Sequence, residues 1–152
     1  MSQNGNFVII QNEIVEGYFD KWGALGCLHT FALGPNKAAE VARKFAKTET
    51  LDAIFAEGGY LLDFDRKQAI VFGYPDIDDE FGDDGKQISE VFSSGELAYL
   101  QYIAPLWPGW KLTWNYQGAE AFANYLTDQG IGNFKLLPRS QPINESPISF
   151  QA

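Results

Sequence analysis

APLWPGWKLTWNYQ, residues 104–117, holds three of the chain's four tryptophans, Trp107, Trp110 and Trp114. From Trp110 onward it alternates strictly. Trp110, Leu112, Trp114 and Tyr116 fall on one side of an extended chain, and Lys111, Thr113, Asn115 and Gln117 on the other. One apolar face and one polar face describe a strand that walls a hydrophobic core. Each buried aromatic withdraws about 150–250 Å² from water, so this strand anchors a large share of the fold. Pro108 and Gly109 suit the central positions of a type II turn, in which glycine supplies the positive φ. The turn sets Trp107 beside Trp110. A second reading therefore stands beside the core wall: a stacking platform for a sugar, with Trp107 as its exposed member.

The flanking segments extend the pattern. GYLLDFDRKQAIVFGYP, residues 59–75, reads as a hairpin with Asp65 to Gln68 as its polar turn. Apolar residues on both faces, such as Leu61 and Val71, make this pair central in its sheet. Phe7 to Ile10 is a β-prone run that resumes at Ile14 and Val15 after Asn12. CLHTFAL, residues 27–33, reads as a strand between Gly26 and Gly34. Pro35 then opens a helix with Ala38, Val41, Ala42 and Phe45 inward and Arg43, Lys44 and Lys47 near its C-terminal end. Leu51, Ile54 and Phe55 briefly repeat helical spacing until Gly58 and Gly59 stop it.

Ser93 and Glu96 have capping-box spacing ahead of a helix that buries Leu97, Leu100 and Ile103 or Ala104 and ends at Pro105. Phe122, Tyr125 and Leu126 mark another helix, closed by Gly130, and residues 133–137 a last strand. Three prolines in the ten residues from Pro138 give an irregular tail, packed by Ile148 and Phe150. The sum is one α+β domain over residues 1–137, with residues 138–152 as its tail. Its sheet is expected to be largely antiparallel, with three or four helices packed on one face.

The chain's 152 residues match one domain, and 45% hydrophobic residues are enough for one core. Eleven Lys and Arg against 20 Asp and Glu give a net charge of −9. That balance disfavours nucleic acid and an anionic membrane surface, and favours a basic protein partner steered by complementary fields. Cys27 is the single cysteine, so no internal disulfide forms. The N-terminal stretch lacks a basic n-region and a long apolar run, so a cytoplasmic location is expected. Oligomeric state is left open.

Catalytic motifs do not emerge. Phosphate-loop and dinucleotide glycine patterns are absent, as is a nucleophile elbow, and His29 is the single histidine. Cys27 and His29 would share a strand face as a buried structural pair. No cofactor is expected, and the reading leans away from an enzyme. Carboxylates supply the remaining signal. Asp63 and Asp65 alternate on their strand, and DIDDEFGDDG, residues 76–85, follows. With Asp76 these could hold a divalent cation and support a cation-dependent hydrolase. The loop is not an EF-hand, because Phe81 stands where glycine is needed and Gln87 where glutamate is. The leading expectation is a non-catalytic acidic binding protein of the immunity or inhibitor kind. Asp76, Asp78, Asp79, Glu80, Asp83 and Asp84 would supply the field, and Ile77 and Phe81 the apolar anchors.

Overall fold

The structure, a computed structural model, describes residues 3–74, 88, 90–139, 141 and 143–152. Strands β1 (Gly5–Gln11) and β2 (Ile14–Asp20) form a hairpin. Helices α1 (Cys27–Phe31) and α2 (Pro35–Ala42) follow, then the short strands β3 (Ala46–Lys47) and β4 (Thr50–Asp52). A second hairpin joins β5 (Gly58–Asp63) to β6 (Gln68–Phe72). Helix α3 (Glu96–Ile103) runs through a 3-10 turn, Ala104–Leu106, towards β7 (Lys111–Trp114). Helix α4 (Ala119–Gln129) and strands β8 (Lys135–Leu137) and β9 (Ile148–Gln151) complete the order.

The main sheet has seven strands in the order β3-β2-β1-β5-β6-β7-β9. Four of its pairings are antiparallel, while β1 with β5 and β6 with β7 run parallel. Strands β4 and β8 form a separate parallel pair. The chain is therefore α+β with a mostly antiparallel sheet. Its period of two divides the core. Phe7, Ile9, Tyr60, Leu62, Val71, Leu112 and Trp114 face α1, α2 and α3. Val8, Ile10, Leu61, Ile70 and Phe72 face Phe122 and Leu126 of α4, with Leu51 of β4. Helices thus cover both faces, where one was expected. The strands β1, β5 and β6 are buried on both sides, which is why they read as continuous apolar runs.

Several local expectations are corrected. Residues 27–31 are a helix, because Cys27, Leu28 and Phe31 sit at i, i+1 and i+4 and all three point into the core. A five-residue run between glycines is too short for its period to be read. Leu51 belongs to a strand and not to a helical turn. Gly95 is the N-cap of α3, and the Ser93 hydroxyl donates to the Glu90 carbonyl, so no capping box forms. Within α3, Leu100 and Ile103 are buried as expected, but Leu97 is exposed. The tail ends in β9, which pairs with β7 from Trp114 opposite Ile148 to Lys111 opposite Gln151.

The tryptophan stretch is a core wall. Trp107 has no exposed surface, and Trp110 and Trp114 have almost none. The Trp107 indole N–H donates to the Phe31 carbonyl at 3.1 Å, and its ring lies 4.5 Å from Phe31 and 5.2 Å from Trp110. Gly109, at φ 83°, makes the expected turn, with the Trp110 amide donating to the Trp107 carbonyl. A sugar platform needs an open ring, and Trp107 is covered. Trp107→Ala should lower the unfolding free energy by about 3–5 kcal/mol. Trp107→Phe should cost less, about 1–3 kcal/mol, through the smaller ring and the lost indole bond to the Phe31 carbonyl, which keeps the Gly34 amide as a donor. Urea unfolding measures both; a loss below about 1 kcal/mol for the alanine variant would contradict this placement.

Candidate functional site

Asp63 and Asp65 lie at the turn end of the β5–β6 hairpin, and both carboxylates are already engaged. Asp63, fully buried, accepts from the amides of Asp65 and Arg66 at 3.0 and 3.1 Å. It also accepts from Arg66 Nη1 at 3.1 Å and from the Tyr125 hydroxyl on α4. Arg66 continues to Glu13 in the neighbouring β1–β2 turn, at 3.2 Å. Asp65 accepts from the amides of Asn12 and Glu13, both at 2.8 Å. Those two residues hold positive φ, 55° and 60°, a conformation that side chains disfavour. The carboxylate of Asp65 offsets that strain. Asp63 points into the protein and Asp65 to solvent, so the pair does not form one open ligand set. Among the described residues no group of three His, Cys, Asp or Glu is placed to hold a metal ion.

Cys27 and His29, both buried, sit on helix α1 and not on a strand, so they do not share a face. The Cys27 thiol donates to the Phe72 carbonyl. The acidic stretch Asp76, Ile77, Asp78, Asp79, Glu80, Phe81, Asp83 and Asp84 lies outside the described residues.

What the structure does display is the end of the sheet at which Tyr74 follows β6. Strand β2 ends at Asp20 opposite Gly5, β5 begins at Gly58 opposite Gly5, and β6 ends at Phe72 opposite Gly59. The connections after β2 and before β5, and Tyr74 after β6, therefore emerge together. They carry Trp22, Leu25, Ile54, Phe55 and Tyr74, all exposed: Tyr74 at 75%, Phe55 at 65%, Ile54 at 52%. Sequence reasoning missed this set because residues 54–55 resembled a helix and single apolar residues give no sign of which way they point. Asp52 followed by a short apolar pair and Gly58 was the available signal of a turn.

That apolar apex is built from within. Asn6, buried in β1, donates from Nδ2 to the carbonyls of Tyr18 and Thr50, and its Oδ1 accepts from the Asp52 amide at 2.7 Å. Asp52 Oδ1 in turn accepts from the amides of Ile54 and Phe55, each at 2.9 Å. The exposed pair is thus held by a chain of hydrogen bonds that starts in the sheet.

Beside it lies a cleft of about 550 Å³ whose lining includes Ile54, Phe55, Phe72, Tyr74, Trp114 and Tyr116. Glu57, Glu96, Glu145 and Arg139 supply its charge. Burial raises the pKa of the Tyr116 hydroxyl, and Glu96, which accepts its hydrogen bond, and Glu145 raise it further. Comparison with protein-family models, curated proteins and solved structures found no match to this chain.

The engaged carboxylates make two predictions. Calcium or magnesium chloride should leave the melting temperature unchanged, because any ion at Asp63 would have to displace four hydrogen bonds; a rise at micromolar ion would restore the hydrolase reading. The second concerns acid. The amides of Glu13, then of Asn12, lower the Asp65 pKa. Its stabilisation is therefore full above the ordinary carboxylate value of about 3.9 and fades as pH falls through the lowered folded value. Asp65→Asn should lower the melting temperature at neutral pH and flatten its decline below about pH 4. Parallel pH profiles for the two proteins would sever that link.

Proposed function

We propose that the protein is a non-catalytic binding module that holds a basic protein partner at this end of the sheet. One observation carries the reading: five exposed apolar side chains lie on connections at one end of the sheet, and the last of them, Tyr74, precedes six acids in nine residues in the sequence. Tyr74 is the last described residue before Pro75 and Asp76. Apolar anchors beside a concentrated charge are the ingredients of a steered interface. Phe55 and Tyr74 supply exposed aromatic area to desolvate. The acids at Asp76 to Asp84 supply a field that accelerates encounter with a positive surface. The net charge of −9 adds to that field at longer range.

An inhibitor that covers a basic active site, as immunity proteins do for toxins, is the functional class this surface suits. The analogy is one of surface character.

The test is capture from host lysate at low and high salt, with two variants alongside. In one the acids of 76–84 are replaced by Asn and Gln; in the other Phe55 and Tyr74 become Ser. A single basic protein should be recovered, weakened by salt and by either variant. In purified form, the neutralised variant should associate more slowly and with a flatter salt dependence. Recovery that ignores both variants, or no recovery at all, would remove this reading.

A further inference from the structure

The two edges of the main sheet are built differently. Strand β3 closes one edge with only Ala46 and Lys47, and the Lys47 ammonium lies 3.6 Å from Glu16. So short and charged an edge refuses a further strand. Strand β9 closes the other, and residues 146–152 carry no charged side chain. The Ala152 amide donates to the Trp110 carbonyl, which fixes the parity of the β7–β9 ladder. Ile148, Phe150 and Ala152 turn their backbone polar groups towards β7, while those of Ser149 and Gln151 point outward. Both residues are exposed, and among the described residues no strand pairs with them on that side. Pro147 ends the open run, because it stands at the next outward position and has no N–H to offer.

We propose that β9 pairs with β9 of a second copy, antiparallel, about a two-fold axis at Phe150. In that register Ser149 of each copy lies opposite Gln151 of the other, and every outward amide meets an outward carbonyl. Sliding the pair to set Ser149 opposite Ser149 would bring Pro147 opposite Gln151 and leave the Gln151 carbonyl without a donor. Phe150, half-buried against the core, meets its counterpart at the axis, where cross-strand side chains come closest. Helix α3 packs on the same face of β9 and shows Leu97 and Tyr102 to solvent, so two such helices flank the axis.

Charge selects a second copy over the basic partner. Residues 97–110, which span most of α3 and the turn after it, also lack any charged side chain. A basic surface finds no carboxylate to pair with here, whereas two chains of net charge −9 touch here without setting acid against acid. The repulsion that remains is long-range and is screened within about 8 Å at physiological salt. The axis runs perpendicular to the sheet, so the ends that carry Phe55 and Tyr74 point in opposite directions and stay open. The pairing stands independently of the partner reading above.

The contact of two short strands is small, and dissociation is expected at about 10–100 μM. Sedimentation velocity of the whole protein across that range, at low and high salt, reads it directly. Salt should favour the dimer, the reverse of its effect on a charged partner. Ser149→Pro removes an outward N–H that β7 does not use, and should weaken dimerisation at least about tenfold. Ser149→Ala loses only the hydroxyl bond to Thr113 and should leave it within about twofold.

Proline also strains β9, so cross-linking gives a second reading. The register sets Ile148 of one copy opposite Ala152 of the other, about 4.5 Å apart between Cα atoms and within disulfide reach. Like positions stand roughly 14 Å apart, which is beyond it. An oxidised mixture of Ile148→Cys and Ala152→Cys proteins should give at least about tenfold more covalent dimer than either alone. A monomer throughout the range, a dimer indifferent to Ser149→Pro, a dimer dissolved by salt, or no preference for the mixed disulfide would each overturn the pairing. A dimer lost instead when Phe55 and Tyr74 become Ser would move self-association to the other surface and overturn it too.

Discussion

The parallel pairing of β1 with β5 holds the two hairpins together, and everything else hangs on it. Each hairpin is local and closes through its own turn. Joining them requires the chain to pass through α1, α2, β3 and β4 before β5 returns beside β1. The register there is set by a contact that only one residue type permits. At Gly59, φ is 149°, and a Cβ would lie 1.8 Å from the Asn6 carbonyl oxygen. A side chain at that position would push the central strands apart. Asn6, next to that contact, fills the buried space on its side of β1 with hydrogen bonds to β2 and β4. An apolar residue of similar size would leave the Asp52 amide and two carbonyls without those partners.

The hairpins and the aromatic wall were legible because period two is unambiguous when it persists. Trp110 to Trp114 and Tyr60 to Phe72 offered enough alternations, and their turns carried Pro108-Gly109 and Asp65-Arg66-Lys67. The α2 and α4 helices were legible for the same reason at period 3.6. The failures share a cause. Residues 27–31 and 50–52 are shorter than two periods, so either pattern fits them. The second covered face was hidden because Val8, Ile10 and Leu61 are apolar whichever element covers them. Residues 148–151 were obscured by prolines upstream, which mark loops but do not forbid a strand after them.

The candidate site was legible by composition and not by place. Charge in residues 76–84 is visible in the letters alone, whereas the placement of Trp22, Leu25, Ile54, Phe55 and Tyr74 at one end of the sheet depends on three strands ending level. Those residues are widely separated in the chain, and nothing local distinguishes them from core residues. The carboxylates Asp63 and Asp65 show the converse. They look like ligands by type and spacing, yet the fold spends them on backbone amides, Arg66 and Tyr125, because two turns with demanding geometry meet there.

The two ends of the sheet therefore divide the work. At one end, the β1–β2 and β5–β6 turns are stitched by Asp63, Asp65, Arg66 and Glu13, and their polar groups are satisfied internally. At the other, apolar side chains stand exposed on connections braced by Asn6 and Asp52. Exposed rings on a braced backbone lose little conformational freedom when covered, so more of the contact energy remains for binding. Such a surface invites self-association in a neutral protein, and a net charge of −9 opposes that through repulsion between copies. Exposed aromatics on a braced backbone, in a chain of acidic composition, are what support the proposed basic partner.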